Sequence, residues 1–600
     1  MKLKTTLIAL FSCVLVCAQN FREVQLPTPD KLNPLFIGPL VKSTIHYGVT
    51  PPNYNGKVIV FNHGYIDLNQ GQFLFDNSFY QDTYNEGYQA IFVATTRGKG
   101  IWVNGKLLAE AIDIITDRFN VPDIYLVGHS NGGKAAEAAM FQYQKNSKVT
   151  KAFALGTPFW GTYLADISQM PWLNWAWSLT GLNEGARTST TYYCRDVVRP
   201  YLDNHPDNQP EKFVVLGASG FYKGSTIAAA AFLLTGGILL PVQGANDGVA
   251  PYTSTLRPGA TYVFKKNDSR AIFDHLDVGL GQFSWPYIKS YIENRSQKNS
   301  ATSNSTLYDS KIESDYYIIS SENKYDKILL DKNSKYAMAE ILHEKPSSEF
   351  NIFDKNNTKI KFSKNLSPVK HKTIISITEN NVTIKSDSKY AAFVKQNNSI
   401  KMSLDKISQS NYPVLKVSFE ATKNDINLLV NSKARGVITR TSKIDGTPVK
   451  SAPEIIIFEK KGEHYYFDSK NLEEGIYSLF LNGESAGNFK RSIISGFVVG
   501  DVKNSLTKTV NNTPTDKPEK SIRLIPNSVK NNASLYIGEQ NTTKNLLITI
   551  YDTTGKTIKD FKRRIHQHGK VDISEDLKYL SPGIYLLKAN DFKIIRFLKN

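Results

Sequence analysis

Ile124-Tyr-Leu-Val-Gly-His-Ser-Asn-Gly-Gly-Lys-Ala-Ala-Glu-Ala-Ala-Met140 decides the fold. Its first four residues form a continuous apolar run of strand length, and residues 134–143 carry helical spacing. Between them lies Gly128-His129-Ser130-Asn131-Gly132, followed by Gly133. A bare G-x-S-x-G pattern arises by chance, but a strand on one side and a helix on the other is the setting that lifts a serine out as a nucleophile. Glycine is expected at 128 and 132, where so tight a turn leaves no room for Cβ, and Ser130 itself is expected in a strained backbone conformation.

Further apolar runs at residues 57–61, 90–94, 152–155 and 213–216 read as strands buried on both faces. Helical spacing recurs at 107–119. This alternation over residues 20–296 predicts an α/β domain, a mostly parallel sheet with helices on both faces, and the serine turn set within it is the arrangement expected of an α/β hydrolase. An exposed serine at such a turn needs a base, an acid to orient it and an oxyanion hole, in the chain order Ser, acid, His. Only His205 and His275 lie between Ser130 and the polar stretch at 296–305. His205 sits in a polar loop ahead of the 213–216 strand, whereas His275 follows the strand-like run at 261–264, where the base belongs. No Asp or Glu occurs between Lys212 and Asp247. Asp247, in the turn Asn246-Asp-Gly-Val-Ala250, is therefore the expected acid, with Asp268 and Asp274 as competitors in the loop that carries His275. The strand at 57–61 runs into Asn62-His63-Gly64-Tyr65, so the backbone N–H groups of Tyr65 and Asn131 are the expected oxyanion donors.

With these residues placed, 57–285 resembles the bacterial true lipases of the Pseudomonas and Burkholderia kind. The resemblance rests on His63-Gly64, on Leu126-Val-Gly-His-Ser130-Asn-Gly-Gly133, on Gly156-Thr-Pro-Phe-Trp-Gly161 with Ala165-Asp166, on Asn246-Asp-Gly248 and on His275-Leu-Asp277. It implies a carboxylic ester hydrolase, a triacylglycerol lipase, with Ser130 as nucleophile, His275 as base and Asp247 as acid, and it needs no cofactor. That family also binds a structural calcium through an Asp just after the histidine and a second Asp upstream of the catalytic acid. Asp277 matches the first, but the acid-free stretch before Asp247 lacks the second, so calcium is not expected. Residues 162–240 fall where such enzymes place a lid. Trp172, Trp175 and Trp177 are expected to line or cover an acyl pocket; for the nearly uncharged run 226–240, core packing is an equal alternative.

Residues 1–19 read as a signal peptide: Lys2 and Lys4, an apolar stretch at 7–16, then Val16-Cys-Ala18. A lipoprotein signal at Cys17 is the rival. Removal of the signal takes Cys13 and Cys17, leaving Cys194 without an intrachain partner. Of the formal charge of +18, residues 1–300 contribute little, with 26 Lys and Arg against 22 Asp and Glu. The excess is spread through the second half among Asn, Ser and Thr, which argues for a solvated surface and no nucleic-acid partner. Residues 307–405 form a β-rich unit and 410–500 a β-sandwich-like one, by their short alternating strands and frequent turns. Residues 521–600 resemble the C-terminal sorting domain of type IX secretion, through Leu524-Ile-Pro-Asn527, Ile548-Thr-Ile-Tyr-Asp552 and Leu580-Ser-Pro-Gly-Ile-Tyr585. That implies the type IX machinery as partner and an extracellular or outer-surface location; the apolar run at 7–16 is too short to span a bilayer, so no transmembrane segment is expected in the mature chain. The leading reading is thus a secreted lipase acting on lipid ester. An extracellular polyester depolymerase using the same triad is the alternative, and an adhesin with an inactive hydrolase scaffold is the reading from another class.

Overall fold

The computed structural model describes residues 21–31, 44–62, 77–96, 99–173, 184–226, 228–265, 268–294, 311–320, 325–344, 351–360, 372–378, 382–386, 388–407 and 411–512, and in the tail 522–525, 528–529, 533–537, 545–552, 557–564, 570–590 and 595–599. The expected signal peptide and the 296–305 linker lie outside these residues.

Eight strands make one sheet: β1 (Arg22–Gln25), β2 (Thr44–Tyr47), β3 (Val58–Asn62), β4 (Gln89–Ala94), β5 (Ile124–His129), β6 (Val149–Leu155), β7 (Phe213–Leu216) and β8 (Thr261–Tyr262). Their order is β1-β2-β4-β3-β5-β6-β7-β8, and every neighbouring pair is parallel except β2–β4. Side chains alternate across the pleat, which is why the runs are apolar throughout. Val58 and Val60 join the core formed with α2 (Gly100–Phe119) and α3 (Asn131–Met140), while Ile59 and Phe61 join the opposite core with α1 (Phe79–Asn85) and the C-terminal helix of the domain, Gly281–Ile292. Helices α2 and α3 pack closely because Gly105 offers no side chain: a Cβ there would lie 2.5 Å from Ala138 Cβ. Asn120, left-handed at φ 49°, ends α2. Two further helices belong to the insertion between β6 and β8: α4 (Tyr163–Ser168) and α5 (Ala229–Gln243).

Two β-sandwiches follow. The first pairs strands Tyr316–Ser320, Tyr390–Gln396, Ala337–His343 and Lys372–Ile377 against a three-stranded sheet. The second sets a sheet containing Val414–Glu420 against one containing Lys433–Ser442, Gly475–Ser485 and Phe489–Val499. Strands Ile312–Ser314 and Lys401–Lys406 pair into this second sandwich, so a boundary at 405–410 would cut one sheet. The hydrolase sheet and both sandwiches make one compact unit, residues 1–507, and residues 508–600 a second. Ile444, Ile476, Val498 and Leu506 lie in the same apolar core as α2 and α3.

In the tail, five strands from Ser528–Val529 to Ile595–Lys599 form a sheet over a core of Ile548, Ile550, Leu587 and Phe597. The Gly-Ile-Tyr motif shared by Gly475–Tyr477 and Gly583–Tyr585 has one local explanation. Each tyrosine hydroxyl donates to the carbonyl four residues earlier, Glu473 or Ser581, and each ring stacks on a phenylalanine of the next strand, Phe497 or Phe597.

Candidate active site

Ser130 caps the N-terminus of α3 at φ 55°, ψ −130°, a region that costs a non-glycine residue about 1–3 kcal/mol. Two glycines make the turn sterically possible. A Cβ on Gly128 would lie 2.6 Å from Gly133 N, and one on Gly133 would lie 2.1 Å from Thr157 Oγ1. The turn is tied to the sheet by the Ser130 N–H, which donates to Leu155 O at 2.8 Å.

Of the histidines and carboxylates proposed from sequence, His275 and Asp247 meet Ser130. His275 Nε2 lies 2.9 Å from Ser130 Oγ, and His275 Nδ1 lies 2.8 Å from Asp247 Oδ2. All three are buried, at 4%, 1% and 0% exposure. Asp247 is fixed from its other oxygen, Oδ1, which accepts the N–H groups of Val249 and Ala250 at 2.9 and 2.6 Å. Asp247 O in turn accepts the His275 N–H at 2.8 Å. Gly156, at φ 55°, lies beneath this pair; a Cβ there would come within 3.0 Å of Asp247 Oδ2 and 3.3 Å of His275 Nδ1. His129 lies 2.6 Å from His275 O through its Nε2, and its ring centroid is 4.9 Å from that of His275.

The competitors are placed elsewhere. His205 Nδ1 accepts the Asp207 N–H at 3.2 Å in its own turn, and Asp268 pairs with Arg270 at 2.7 Å. Asp274 Oδ1 accepts the N–H groups of Leu276 and Asp277 at 3.0 and 2.8 Å, shaping the turn after the histidine. Burial pushes the Asp274 carboxyl up to about 6, with the Asp277 and Asp247 charges adding to it. Both oxygens of Asp277 are occupied by Ser225, through its N–H at 2.9 Å and its hydroxyl at 2.5 Å. Among the described residues no group of three His, Cys, Asp or Glu side chains could hold a metal ion.

Asn131 opens α3, where N–H groups have no intrahelical acceptor. Its side-chain oxygen accepts the Ser189 hydroxyl at 2.7 Å. Ser189 is held by Lys134, whose fully buried Nζ donates to Ser189 Oγ at 2.9 Å, to Thr188 O at 2.8 Å and to Cys194 Sγ at 3.4 Å. Burial lowers the Lys134 pKa and raises that of Cys194. One turn on, Glu137 bridges Arg199 and Arg257 at 2.5 and 2.8 Å, all three buried. Sequence reading missed these groups; the one available signal was a Lys and a Glu on an otherwise Ala-rich helix. Tyr65, Trp175 and Trp177 lie outside the described residues.

The insertion covers this site. Phe232 of α5 sets its ring 6.0 Å from that of His275 and packs with Leu276 and Leu280. The Thr235 hydroxyl donates to Gly248 O, and Asn246 Nδ2 donates to Gly236 O at 3.1 Å, so α5 is fastened to the turn that carries Asp247. Phe232, Thr235 and Gly236 thus pack against the catalytic loops. Trp172 is half-buried and its ring lies 5.3 Å from that of Phe480.

Residues 75–171 match the family model described as an alpha/beta hydrolase of unknown function (DUF915), and residues 523–596 match the secretion system C-terminal sorting domain. No curated protein matches the chain. Among solved structures, the Bacillus licheniformis lipase BlEst2 in propeptide form aligns at 20% identity with a TM-score of 0.54, over 76% of this chain and 97% of that one. The mature form of that lipase aligns at 25% identity with a TM-score of 0.34, over 40% of this chain and 94% of that one. The first alignment supports the fold. Among the described residues, no helix is long and apolar enough to cross a membrane. The chain is an α/β hydrolase by fold, and its C-terminal type IX sorting domain marks it for secretion or attachment to the cell surface.

Proposed function

We propose that this protein is a serine carboxylic-ester hydrolase of the lipase type, with Ser130, His275 and Asp247 as its catalytic triad. The observation that carries this reading is the line from Ser130 Oγ through His275 to Asp247, at 2.9 and 2.8 Å, on a serine held at positive φ. His275 Nε2 takes the Ser130 proton as Oγ attacks an ester carbonyl, and Asp247 holds the imidazolium that results. The tetrahedral oxyanion falls at the start of α3, toward the Asn131 N–H and, from the sequence motif, that of Tyr65. Collapse releases the alcohol, protonated by His275, and leaves an acyl-Ser130. Water then attacks the acyl carbonyl with His275 again as base, releasing the acid and restoring Ser130.

The motif run resembling the true lipases and the apolar cap over His275 support a lipid ester as substrate. The test is hydrolysis of p-nitrophenyl esters from acetyl to palmitoyl by residues 20–600 and by Ser130→Ala. Turnover that rises with acyl length and vanishes in Ser130→Ala is the expected result. Turnover that survives the substitution would refute the triad, and none with any ester would favour the scaffold reading.

A further inference from the structure

Helix α5 has two covered sides. One side, through Phe232 and Thr235, lies on the catalytic loops. The other, through Ile238 and Leu239, shares an apolar cluster with Ile318 and Leu342 of the first sandwich. Contact there is close: a Cβ on Gly237 would lie 2.8 Å from Lys372 Nζ. The rest of the cap is gripped in the same way. Tyr163 of α4 meets Tyr316 hydroxyl to hydroxyl at 3.0 Å, and Trp172 packs on Phe480. Farther along the insertion, the Tyr193 hydroxyl donates to Ile444 O at 2.8 Å.

The sequence of α5 does little to favour a helix on its own. It is uncharged along its length, carries the pair Gly236-Gly237 and contains Pro241. Such a segment is a weak helix on its own and depends on packing for its position. With Phe232 against His275 and Ser130 4% exposed, a long-chain ester reaches the serine only when the cap moves.

We propose that the sandwiches at 312–499 are an intramolecular clamp that holds α4 and α5 closed over Ser130, and that the cap face they cover is the surface with which the freed catalytic unit docks on aggregated lipid ester. The proposal rests on the hydrolase reading above. Separation of the sandwiches removes Ile318 and Leu342 from the cluster that holds Leu164, Ile167, Leu173, Ile238 and Leu239, next in the chain to the exposed Leu240 and Val242. A patch of that kind, bordering the active site, suits a lipid surface.

The test uses the full chain. Ile318→Ala and Phe480→Ala remove contacts from the sandwich side and leave the hydrolase domain untouched. Each is expected to raise hydrolysis of emulsified tributyrin about tenfold by populating the open cap, with a smaller rise for soluble p-nitrophenyl butyrate and faster hydrogen exchange across 229–243. Faster exchange with unchanged or lower turnover would overturn the clamp and make the sandwiches a support. Should the variants fail to fold, the chain with residues 299–304 replaced by a specific protease site is cut in the native state and fractionated. The fraction freed of the sandwiches is expected to be fast and to bind lipid vesicles. Equal rates in both fractions, a dead freed fraction, or fragments that never part would each refute the proposal. Absence of turnover in every form would instead refute the hydrolase reading.

Discussion

Asp166 on α4 is 2% exposed, and burial pushes its carboxyl up to about 7, against an ordinary value of 3.8. Its oxygens face the Thr191 N–H at 2.7 Å and the Thr191 hydroxyl at 2.5 Å; these bonds and the Arg195 charge favour the ionised form but do not offset the lost hydration. The folded state therefore keeps a proton that the unfolded chain gives up near pH 4. The contribution of Asp166 to stability is greatest below that pH, falls as pH rises toward 7, and is then lower by about 4 kcal/mol. Asp166→Asn is nearly isosteric, its oxygen still accepting the Thr191 N–H and its amide donating to the hydroxyl. The variant is expected to match the wild type near pH 4 and to exceed it by up to about 4 kcal/mol at pH 8. All six tryptophans lie between residues 102 and 285, so urea unfolding followed by tryptophan fluorescence reads this part of the chain. The difference between variant and wild type isolates Asp166 from every other titration. A difference that is flat from pH 4.5 to 8, or that grows toward acid, would refute the reasoning.

Ser130→Ala is expected to lower kcat about a millionfold while the Tm is held or raised, since alanine relieves nothing at φ 55° but removes a buried hydroxyl; single-turnover acylation checks it. Asp247→Asn leaves the geometry but imposes the wrong histidine tautomer, for a loss in kcat of about 10⁴ measured on the same esters. Gly156→Ala puts a methyl 3.0 Å from Asp247 Oδ2, and should cut kcat about a hundredfold with KM little changed. Glu137→Gln leaves the buried Arg257 guanidinium without a carboxylate and Arg199 with Asp203 alone, and should destabilise the chain by about 3–5 kcal/mol, read as a fall in urea midpoint.

The parts of the site that the sequence displayed are those set by local sterics and by chain order. Gly128 announces a turn whose walls are backbone, and Asp247 stood alone in a stretch without other carboxylates, whereas the need for glycine at 133, set by the Thr157 side chain, was not legible. Lys134, Glu137, Arg199 and Arg257 were invisible because a charge reads as solvated until its partner is known. The partners of Lys134 and Glu137 lie between 54 and 120 residues away. The same holds for Asp166: only the neighbours packed around it distinguish a buried acid from an exposed one.

Helix α5 shows the limit in the fold. Amphipathic helices are read from the contrast between a buried and a wet face. In α5 that contrast is missing: the catalytic loops cover one side, the first sandwich covers a second, and the side left to water carries Leu240 and Val242. Core packing and pocket cover therefore looked equal in the sequence, since both demand an apolar surface. Under the clamp proposed above, a helix that trades a protein covering for a lipid one needs an apolar surface in both states, which ties the uniform sequence of α5 to the proposed opening of the cap.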